Sequence, residues 1–191
     1  GRLNLAYFSD ERGRIVTEMS IIRHSEKSFT LITAAAAQWH DLEWLTSNVS
    51  SEMDVEIVDE SEKFSTFVVT GPNSRDLLSK ITDADLTLGW LTHQKAKVLD
   101  ISSMLARVSF AGELGWEIHV ENQYAPKIYQ EILQRKAKPF GMFALNSLRI
   151  EKGYKAWKGD LSTDYSLLEA GLDRFIKFDK ESNFIGKNAL Q

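Results

Sequence analysis

The sequence predicts an α+β fold with mixed or antiparallel sheets and packed helices. Stretches of alternating character, such as RIVTEMSIIRH, are typical of strands that place successive side chains on opposite faces. Other stretches, such as APKIYQEILQRKA, place apolar residues along one face of a helix. The two kinds of element follow each other in an irregular order, which indicates the α+β class.

Composition limits what kind of protein this is. The 191 residues are 43% hydrophobic, which allows one sizeable core or two small ones, and we expect one domain over residues 1–191. The polar segment 46–54 is interpreted as an ordinary loop, with a weak domain boundary as the alternative. A net charge of −4 argues against a nucleic-acid partner. No apolar run reaches the roughly 18 residues that would predict a membrane span.

Two residue types exclude further kinds of site. The chain has no cysteine, which excludes disulfides, zinc thiolates and cysteine nucleophiles. Its four histidines show no metal-ligand spacing, so no metal site is predicted. Because the net charge is negative, any anionic small ligand needs a local basic pocket.

The N-terminal part of the chain reads as strands around one helix. LAYFS, RIVTEMSIIRH and SFTLITA are predicted strands, and residues 35–48 a helix. Trp39, Leu42 and Leu45 would form the apolar stripe of this helix. Two further strands are predicted after it, in the sequences VEIVDE and KFSTFVVT.

The remaining elements alternate less regularly. Asn73 or Ser74 can cap a helix within GPNSRDLLSKI. Pro126 suits the start of another helix, and Gly153 the end of a third. The last forty residues suggest short strands and turns. The predicted strands between the first two of these helices are AKVLDI, SMLARVSF and GWEIHV.

The strand GWEIHV carries the first candidate for ligand binding. Alternation places Trp116 and Ile118 on one face and Glu117 and His119 on the other. A strand carboxylate can accept two adjacent N–H donors in a charge-assisted pair, as the 2-amino-4-oxo edge of a pterin would offer. Gly115 would let a group approach the backbone closely. The alternative is an exposed strand carboxylate without a ligand.

Two more charged residues lie in apolar surroundings. Glu18 sits in mid-strand between Val16 and Ser20, and burial there would raise its pKa and suit it to act as a base. Its alternative role is an edge-strand charge that discourages aggregation. Arg149 lies within one turn of Leu148, so its guanidinium needs an anion or carbonyl groups as partners. The alternative for Arg149 is an intrahelical or surface ion pair.

Several motifs together resemble one known family. They occur over nearly the whole chain, and they are similar to the folate-binding region of the glycine-cleavage T-protein (aminomethyltransferase) superfamily, in its dimethylglycine and sarcosine dehydrogenase branch. The motifs are DERGRIVTEMSII, ITAAAAQWHDLEWL, VVTGPNSRDLLSKITDADL, SFAGELGWEIHV, ALNSLRIEKGYKAWKGDL and LLEAGLDRFIKFDKESNFIGKNAL.

The resemblance implies roles for particular residues. The family motif Tyr-Thr-Gly-Glu-x-Gly-x-Glu ends on the glutamate that holds the pterin, which is Glu117 here. Phe110 stands where the family has tyrosine, so its ring can pack on a ligand while a hydroxyl contact is lost. Ala111 stands at the threonine position. Glu113 falls at the other glutamate, which we interpret as structural.

Three further positions carry implied roles in folate chemistry. Glu18 fills the place of an acidic residue near the reacting nitrogen of folate, where most relatives have aspartate, and is the expected catalytic base. Arg149 matches an arginine that contacts folate. Trp157 matches an aromatic residue that could stack near the aminobenzoate group.

The implied activity is one-carbon transfer to tetrahydrofolate, forming 5,10-methylene-tetrahydrofolate from an N-methyl amine such as dimethylglycine or sarcosine, or from a glycine-derived intermediate. The expected partners are folate, a methylamine-type substrate, and an upstream flavin domain or a glycine-cleavage carrier protein. FAD would bind only in a separate domain, since this chain lacks a Gly-x-Gly-x-x-Gly fingerprint. The implied location is the cytoplasm, or the mitochondrial matrix in a eukaryote.

The resemblance also implies longer relatives and other functions. Family members carry sequence before the equivalent of Gly1 and a small β-barrel domain after FIGKNAL, so we expect a fragment of a longer protein. The alternatives are a stand-alone folate-dependent demethylase, a folate-binding regulatory protein without turnover, and a scaffold that has lost folate. KGYKAWKGD in place of a KGCYxGQE-like motif argues against the regulatory protein. Phe110 and Ala111 support the scaffold.

Overall fold

The computed structural model describes all 191 residues and divides them into two compact units. The three-strand unit comprises residues 4–55 and 155–191, and the four-strand unit residues 1–3 and 56–154. The units therefore divide beside the polar segment 46–54. The strands are β1 (Leu3–Ser9), β2 (Ile15–Arg23), β3 (Phe29–Ile32), β4 (Phe64–Thr70), β5 (His93–Val98), β6 (Ile101–Ala106) and β7 (Gly115–Glu121). The α-helices are α1 (Gln38–Ser47), α2 (Ser74–Leu78), α3 (Ala125–Gln134), α4 (Met142–Glu151) and α5 (Lys187–Leu190).

The three-strand unit is built on a sheet with β2 in the middle. The strand order is β1-β2-β3, and β2 pairs antiparallel with β3, with Ile21 opposite Leu31. The turn between β1 and β2 is closed by the carboxylate of Asp10, which accepts the backbone N–H groups of Arg12 and Arg14. The buried core of this unit consists of Ile15, Leu161, Leu167, Ala170, Leu172 and Leu190.

The four-strand unit is an antiparallel sheet in the order β4-β7-β6-β5. β7 pairs with β4 along its whole length, from Gly115 opposite Thr70 to Glu121 opposite Phe64. Alternation along β7 buries one face of the strand in the core, because its period is two residues. The core contains Val69, Leu78, Ile81, Leu86, Val98, Ile101, Leu105, Trp116, Ile118, Val120, Ile128 and Ile132.

Most predicted elements are confirmed, with the largest errors outside the two sheets. Residues 55–60, predicted as the strand VEIVDE, form no strand. The last forty residues contain two isolated bridges, one 3₁₀ turn and the short helix α5, but no strand. Valine and isoleucine favour strands only where a neighbouring strand offers hydrogen bonds and packing.

Two local predictions about helices were also wrong. Trp39 is 72% exposed, and the residue that α1 buries is Asp41, so the predicted apolar stripe does not describe the buried face. At α2, Asn73 occupies the predicted N-cap position, but neither its side chain nor that of Ser74 makes a capping hydrogen bond. The Ser74 hydroxyl instead donates to the carbonyl of Gly71. No helix is long and apolar enough to cross a membrane.

Candidate functional site

Glu117 lies in the middle of β7, the inner strand that pairs with both β4 and β6. Trp116 and Ile118 are almost fully buried in the core, at 1% and 0% exposure. Their burial turns Glu117 to the opposite face of the sheet, as alternation predicts. The Glu117 side chain keeps 20% of its surface exposed, so it is accessible without being fully solvated.

His119 is an ionisable neighbour of Glu117 on that face. Its Nε2 lies 3.2 Å from Oε2 of Glu117, while its Nδ1 lies 2.9 Å from the hydroxyl of Thr66 on β4. The Nε2 contact lacks hydrogen-bond geometry, so it acts as an ion pair when the imidazole is protonated. Neither oxygen of Glu117 therefore accepts a hydrogen bond from another side chain.

Gly115 has a structural reason to be glycine. A Cβ at this position would lie 2.9 Å from Cβ of Ser109 and 3.0 Å from the hydroxyl of Thr70. The group that approaches the backbone here is thus the protein itself, not the ligand that the sequence suggested. At Gly115, where β7 begins, Ser109 of the preceding loop and Thr70 at the end of β4 therefore lie close to the backbone.

Phe110 lies in the loop between β6 and β7 and is 36% exposed. Its ring is stacked on that of Tyr154, with 6.3 Å between the ring centroids and 17° between the planes. Nearby, Gly112 has a φ of +75°, and a Cβ there would lie 2.6 Å from Cγ of Lys152. The loop therefore packs against the residues that end α4, and Phe110 itself stays partly exposed.

Arg149 occupies the inner side of α4 and is only 6% exposed. Its Nε donates to Oδ1 of Asn146 at 2.8 Å, and its Nη1 donates to the carbonyl of Tyr154 at 2.9 Å. Burial excludes the surface ion pair as its role. The sequence prediction that this guanidinium needs carbonyl partners is confirmed, because an amide oxygen and a backbone carbonyl both accept from it. Tyr154 thus links Arg149 to Phe110.

Glu18 lies on β2, the central strand of the three-strand unit. The edge-strand role considered for it is therefore wrong, because β2 is paired on both sides. Its carboxylate accepts hydrogen bonds from the Tyr7 hydroxyl and from the backbone N–H of Trp157. Burial outweighs these two bonds and raises the pKa of Glu18 from 4.5 to about 7. The predicted rise in pKa is confirmed.

Tyr7, which donates the hydrogen bond to Glu18, is partly buried as well. Burial, and then the neighbouring carboxylate of Glu18, raise the pKa of the Tyr7 hydroxyl. The Tyr7 ring packs edge-on against Phe175, with 4.8 Å between the ring centroids. Tyr7 therefore stays protonated near neutral pH and serves as a fixed hydrogen-bond donor to Glu18.

Trp157 is anchored to β2 through its indole ring as well as its backbone. Its Nε1 donates to the carbonyl of Val16 at 2.9 Å. Lys158 places its ammonium 5.0 Å from the centre of the Trp157 ring, and the imidazole of His40 lies 5.2 Å away. The Trp157 ring is thus fixed in orientation beside Glu18 and flanked by two nitrogen-bearing side chains.

The five candidates fall into two groups, one in each unit. Arg149 and Phe110 are joined through Tyr154 in the four-strand unit, where Glu117 lies on β7. Glu18 and Trp157 are joined by a hydrogen bond in the three-strand unit. The sequence reasoning missed three ring-bearing residues that contact the candidates. Tyr7, Tyr154 and His40 carried no signal in one sequence, whereas alternation on β7 had already placed His119 beside Glu117.

The family model of the GCVT N-terminal domain matches residues 1–180. The chain belongs to this family. A mitochondrial dimethylglycine dehydrogenase from Rattus norvegicus is 35% identical over 199 aligned residues, which cover all of this chain and 23% of the dehydrogenase. An aminomethyltransferase from Listeria innocua is 34% identical over 184 residues, covering 94% of this chain and 50% of the transferase. The sequence resemblance is therefore confirmed.

Solved structures support the fold. The crystal structure of glycine cleavage system aminomethyltransferase T from Bartonella henselae matches with a TM-score of 0.88 at 21% identity, over 99% of this chain and 52% of that one. The predicted α+β class with antiparallel sheets is confirmed. The chain spans about half the length of these transferases and about a quarter of the dehydrogenases.

Proposed function

We propose that this chain is a tetrahydrofolate-binding module for one-carbon (aminomethyl) transfer. The single observation that supports this most is the carboxylate of Glu117, which is 20% exposed and to which no other side chain donates a hydrogen bond. Partly desolvated carboxylates normally acquire such donors, because an unpaired acceptor is costly to bury. A ligand with two adjacent N–H groups, such as a pterin, would supply both.

The other residues of the four-strand unit suit the remaining features of folate. Phe110 presents a ring face that can pack on a flat aromatic system. Arg149, held by Asn146 and the carbonyl of Tyr154, contributes a buried positive charge that favours a ligand carrying carbonyl or carboxylate oxygens. In the three-strand unit, Trp157 offers an indole ring of fixed orientation on which an aromatic group could pack. These side chains would orient the ligand, which is the main contribution a protein makes to such a transfer.

Glu18 is proposed to accept a proton during the transfer. Bound tetrahydrofolate supplies the nitrogens that take up the one-carbon unit of an iminium. A carboxylate with a pKa of about 7 is well matched to removing a proton near neutral pH, because general bases work best near the operating pH. Tyr7 holds the carboxylate in place. The amine substrate is proposed to be a methylated glycine such as dimethylglycine or sarcosine, delivered from a flavin domain or a carrier protein.

The proposal is tested by calorimetry with folinic acid, a stable analogue of tetrahydrofolate. We expect the wild-type chain to bind it and Glu117→Ala to bind about 100-fold more weakly, since two charge-assisted hydrogen bonds are worth about 3 kcal/mol. Glu113→Ala is the matched control, because Glu113 is an exposed carboxylate on the preceding loop.

Each outcome of this titration has a definite meaning. Affinity retained by Glu113→Ala and lost by Glu117→Ala supports the assignment of Glu117. Equal weakening by both variants contradicts that assignment and indicates a general effect of negative charge. Absence of binding to the wild-type chain contradicts the folate-binding proposal and favours the scaffold.

A further inference from the structure

A buried acid and a half-exposed histidine lie side by side at the start of α1. Asp41 is only 2% exposed, although it is charged. Its carboxylate accepts hydrogen bonds from the Thr33 hydroxyl and from Nδ1 of His40, the latter at 2.9 Å. The His40 side chain is 41% exposed. None of the candidate roles described above uses these residues.

The contact with Asp41 determines which nitrogen of His40 carries the hydrogen. A carboxylate is an acceptor only, so Nδ1 must be the donor. In the neutral imidazole the lone pair then lies on Nε2, which has no hydrogen-bond partner in the protein. The Thr33 hydroxyl fixes the second oxygen of Asp41, and this holds the carboxylate in place. The result is a histidine oriented by a buried acid, with an outward-facing acceptor.

The position of His40 connects it to Glu18. Its ring lies 5.2 Å from that of Trp157, at an angle of 52°. The backbone N–H of Trp157 donates to the carboxylate of Glu18. A ligand packed on the exposed part of Trp157 would therefore meet two groups able to take up protons, one from β2 and one from α1. The ammonium of Lys158 on the same indole ring is the other charged group nearby.

The proposed reaction requires more than one proton movement. When one carbon comes to bridge two nitrogens, each nitrogen loses a proton. The amine that departs from the one-carbon unit takes up one of these, and the other reaches solvent. Glu18 provides a single carboxylate, which can hold only one proton at a time. A second proton-accepting group nearby would allow both nitrogens to lose their protons before Glu18 releases the first proton to solvent.

We infer that His40 is this second group, accepting a proton on Nε2 from the ligand bound beside Trp157. The inference rests on the proposed function. Asp41 stabilises the imidazolium that forms, as a buried carboxylate does when it accepts from the other ring nitrogen. Asp41 and Thr33 are positioning residues, since they act only through His40.

The substitution His40→Asn isolates this role. The asparagine amide can still donate to Asp41, but it offers no basic nitrogen in place of Nε2. His24→Asn is the matched control in the same unit, because Nε2 of His24 is hydrogen-bonded to the hydroxyl of Thr30. Turnover is measured with tetrahydrofolate, formaldehyde and dimethylamine as the rate above that of the protein-free mixture, because formaldehyde also condenses directly with tetrahydrofolate. Affinity is measured with folinic acid.

We expect His40→Asn to lower turnover about 100-fold, the scale of general acid–base catalysis, with folinic acid affinity within twofold of wild type. His24→Asn should change neither. Nitrogen-15 NMR of the wild-type chain should show His40 as the Nδ1–H tautomer, and this needs neither folate nor a folded variant. An Nε2–H tautomer, or a wild-type turnover in His40→Asn, overturns the inference and leaves the proposed function intact. A wild-type chain that binds no folinic acid overturns both.

Discussion

Two glutamates at equivalent places in two sheets have acquired different chemistry. Glu117 lies on an inner strand of the four-strand unit, beside His119, and keeps 20% of its side chain exposed. Glu18 lies on the central strand of the three-strand unit, where burial raises its pKa to about 7. Only Glu18 receives hydrogen bonds from the protein, from Tyr7 and from the backbone of Trp157.

The difference shows that the hydrogen-bond donors and the burial around a carboxylate, more than its place in the sheet, determine its chemical role. A carboxylate with unmet acceptor capacity and some contact with water is suited to recognising donors on a ligand. A carboxylate that is already hydrogen-bonded and largely desolvated is suited to exchanging a proton near neutral pH. The same substitution at both positions should therefore have different consequences, and the predictions below test this.

The largest expected effect is a gain in stability on replacing Glu18. A folded-state pKa raised from 4.5 to about 7 favours the protonated folded protein. The stability that the protonated Glu18 gives the folded protein is fully present below pH 4.5 and is lost as the pH rises to about 7. Glutamine cannot ionise, so Glu18→Gln should raise the free energy of unfolding at pH 8 by up to about 3 kcal/mol. Urea unfolding at pH 8 and pH 4 measures the difference in the free energy of unfolding between the variant and the wild type.

The pH dependence separates this effect from a simple change of packing. At pH 4 the wild type is protonated at Glu18, so the variant and wild type should unfold within about 0.5 kcal/mol of each other. Glu169→Gln is a control, because that carboxylate is exposed and hydrogen bonds from Ser166 lower its pKa. A Glu18→Gln variant that is destabilised at pH 8 contradicts the buried, neutral-pH carboxylate.

The same substitution at Glu117 should instead lower ligand affinity. Glutamine keeps one acceptor but replaces the other with an N–H₂ group that would face a ligand donor. We expect Glu117→Gln to bind folinic acid about 30-fold more weakly, equivalent to about 2 kcal/mol. The free energy of unfolding should change by less than 1 kcal/mol, since no side chain donates a hydrogen bond to this carboxylate. Calorimetry and urea unfolding measure the two quantities. Unchanged affinity would contradict ligand recognition by Glu117.

Much of this contrast was readable from the sequence. The alternation of GWEIHV was enough to assign Glu117 and Trp116 to opposite faces of the strand, because the two-residue period of a strand does not depend on the rest of the fold. The mid-strand place of Glu18 likewise suggested burial and a raised pKa, with an edge-strand charge as the alternative. Local patterns of this kind are reliable where one face of a strand contacts a core.

What the sequence could not give was the identity of long-range partners. Tyr7 reaches Glu18 because β1 and β2 are neighbours in the sheet, and Trp157 reaches it from more than a hundred residues away. Trp39 is exposed and Asp41 buried because Thr33 and His40 satisfy the carboxylate, which no hydrophobic pattern reveals. Such contacts depend on strand order and loop path, which a single sequence leaves open.

A smaller effect is expected where the surroundings of Glu18 are altered indirectly. Trp157→Phe removes the indole hydrogen bond to the carbonyl of Val16, which should cost about 1 kcal/mol of unfolding free energy. The backbone N–H of Trp157 is unchanged, so the pKa of Glu18 should remain near 7. Urea unfolding and NMR titration of the carboxylate measure these. Trp39→Phe is the control, because that indole is 72% exposed. A large fall in the pKa of Glu18 would show that the indole ring of Trp157 is what keeps the carboxylate desolvated.

The smallest expected effect concerns Phe110, where the family motif has tyrosine. The ring is 36% exposed and stacked on Tyr154, so an added hydroxyl should leave stability within about 0.5 kcal/mol. If the ring borders the ligand of Glu117, one new neutral hydrogen bond in Phe110→Tyr should tighten folinic acid binding about fivefold, or about 1 kcal/mol. Phe143→Tyr, on a 96% exposed ring of α4, should not change affinity in the same calorimetric titration. Weaker binding in Phe110→Tyr would mean that the phenylalanine fits the ligand better than the family residue does, and would separate the recognition of this chain from that of its relatives.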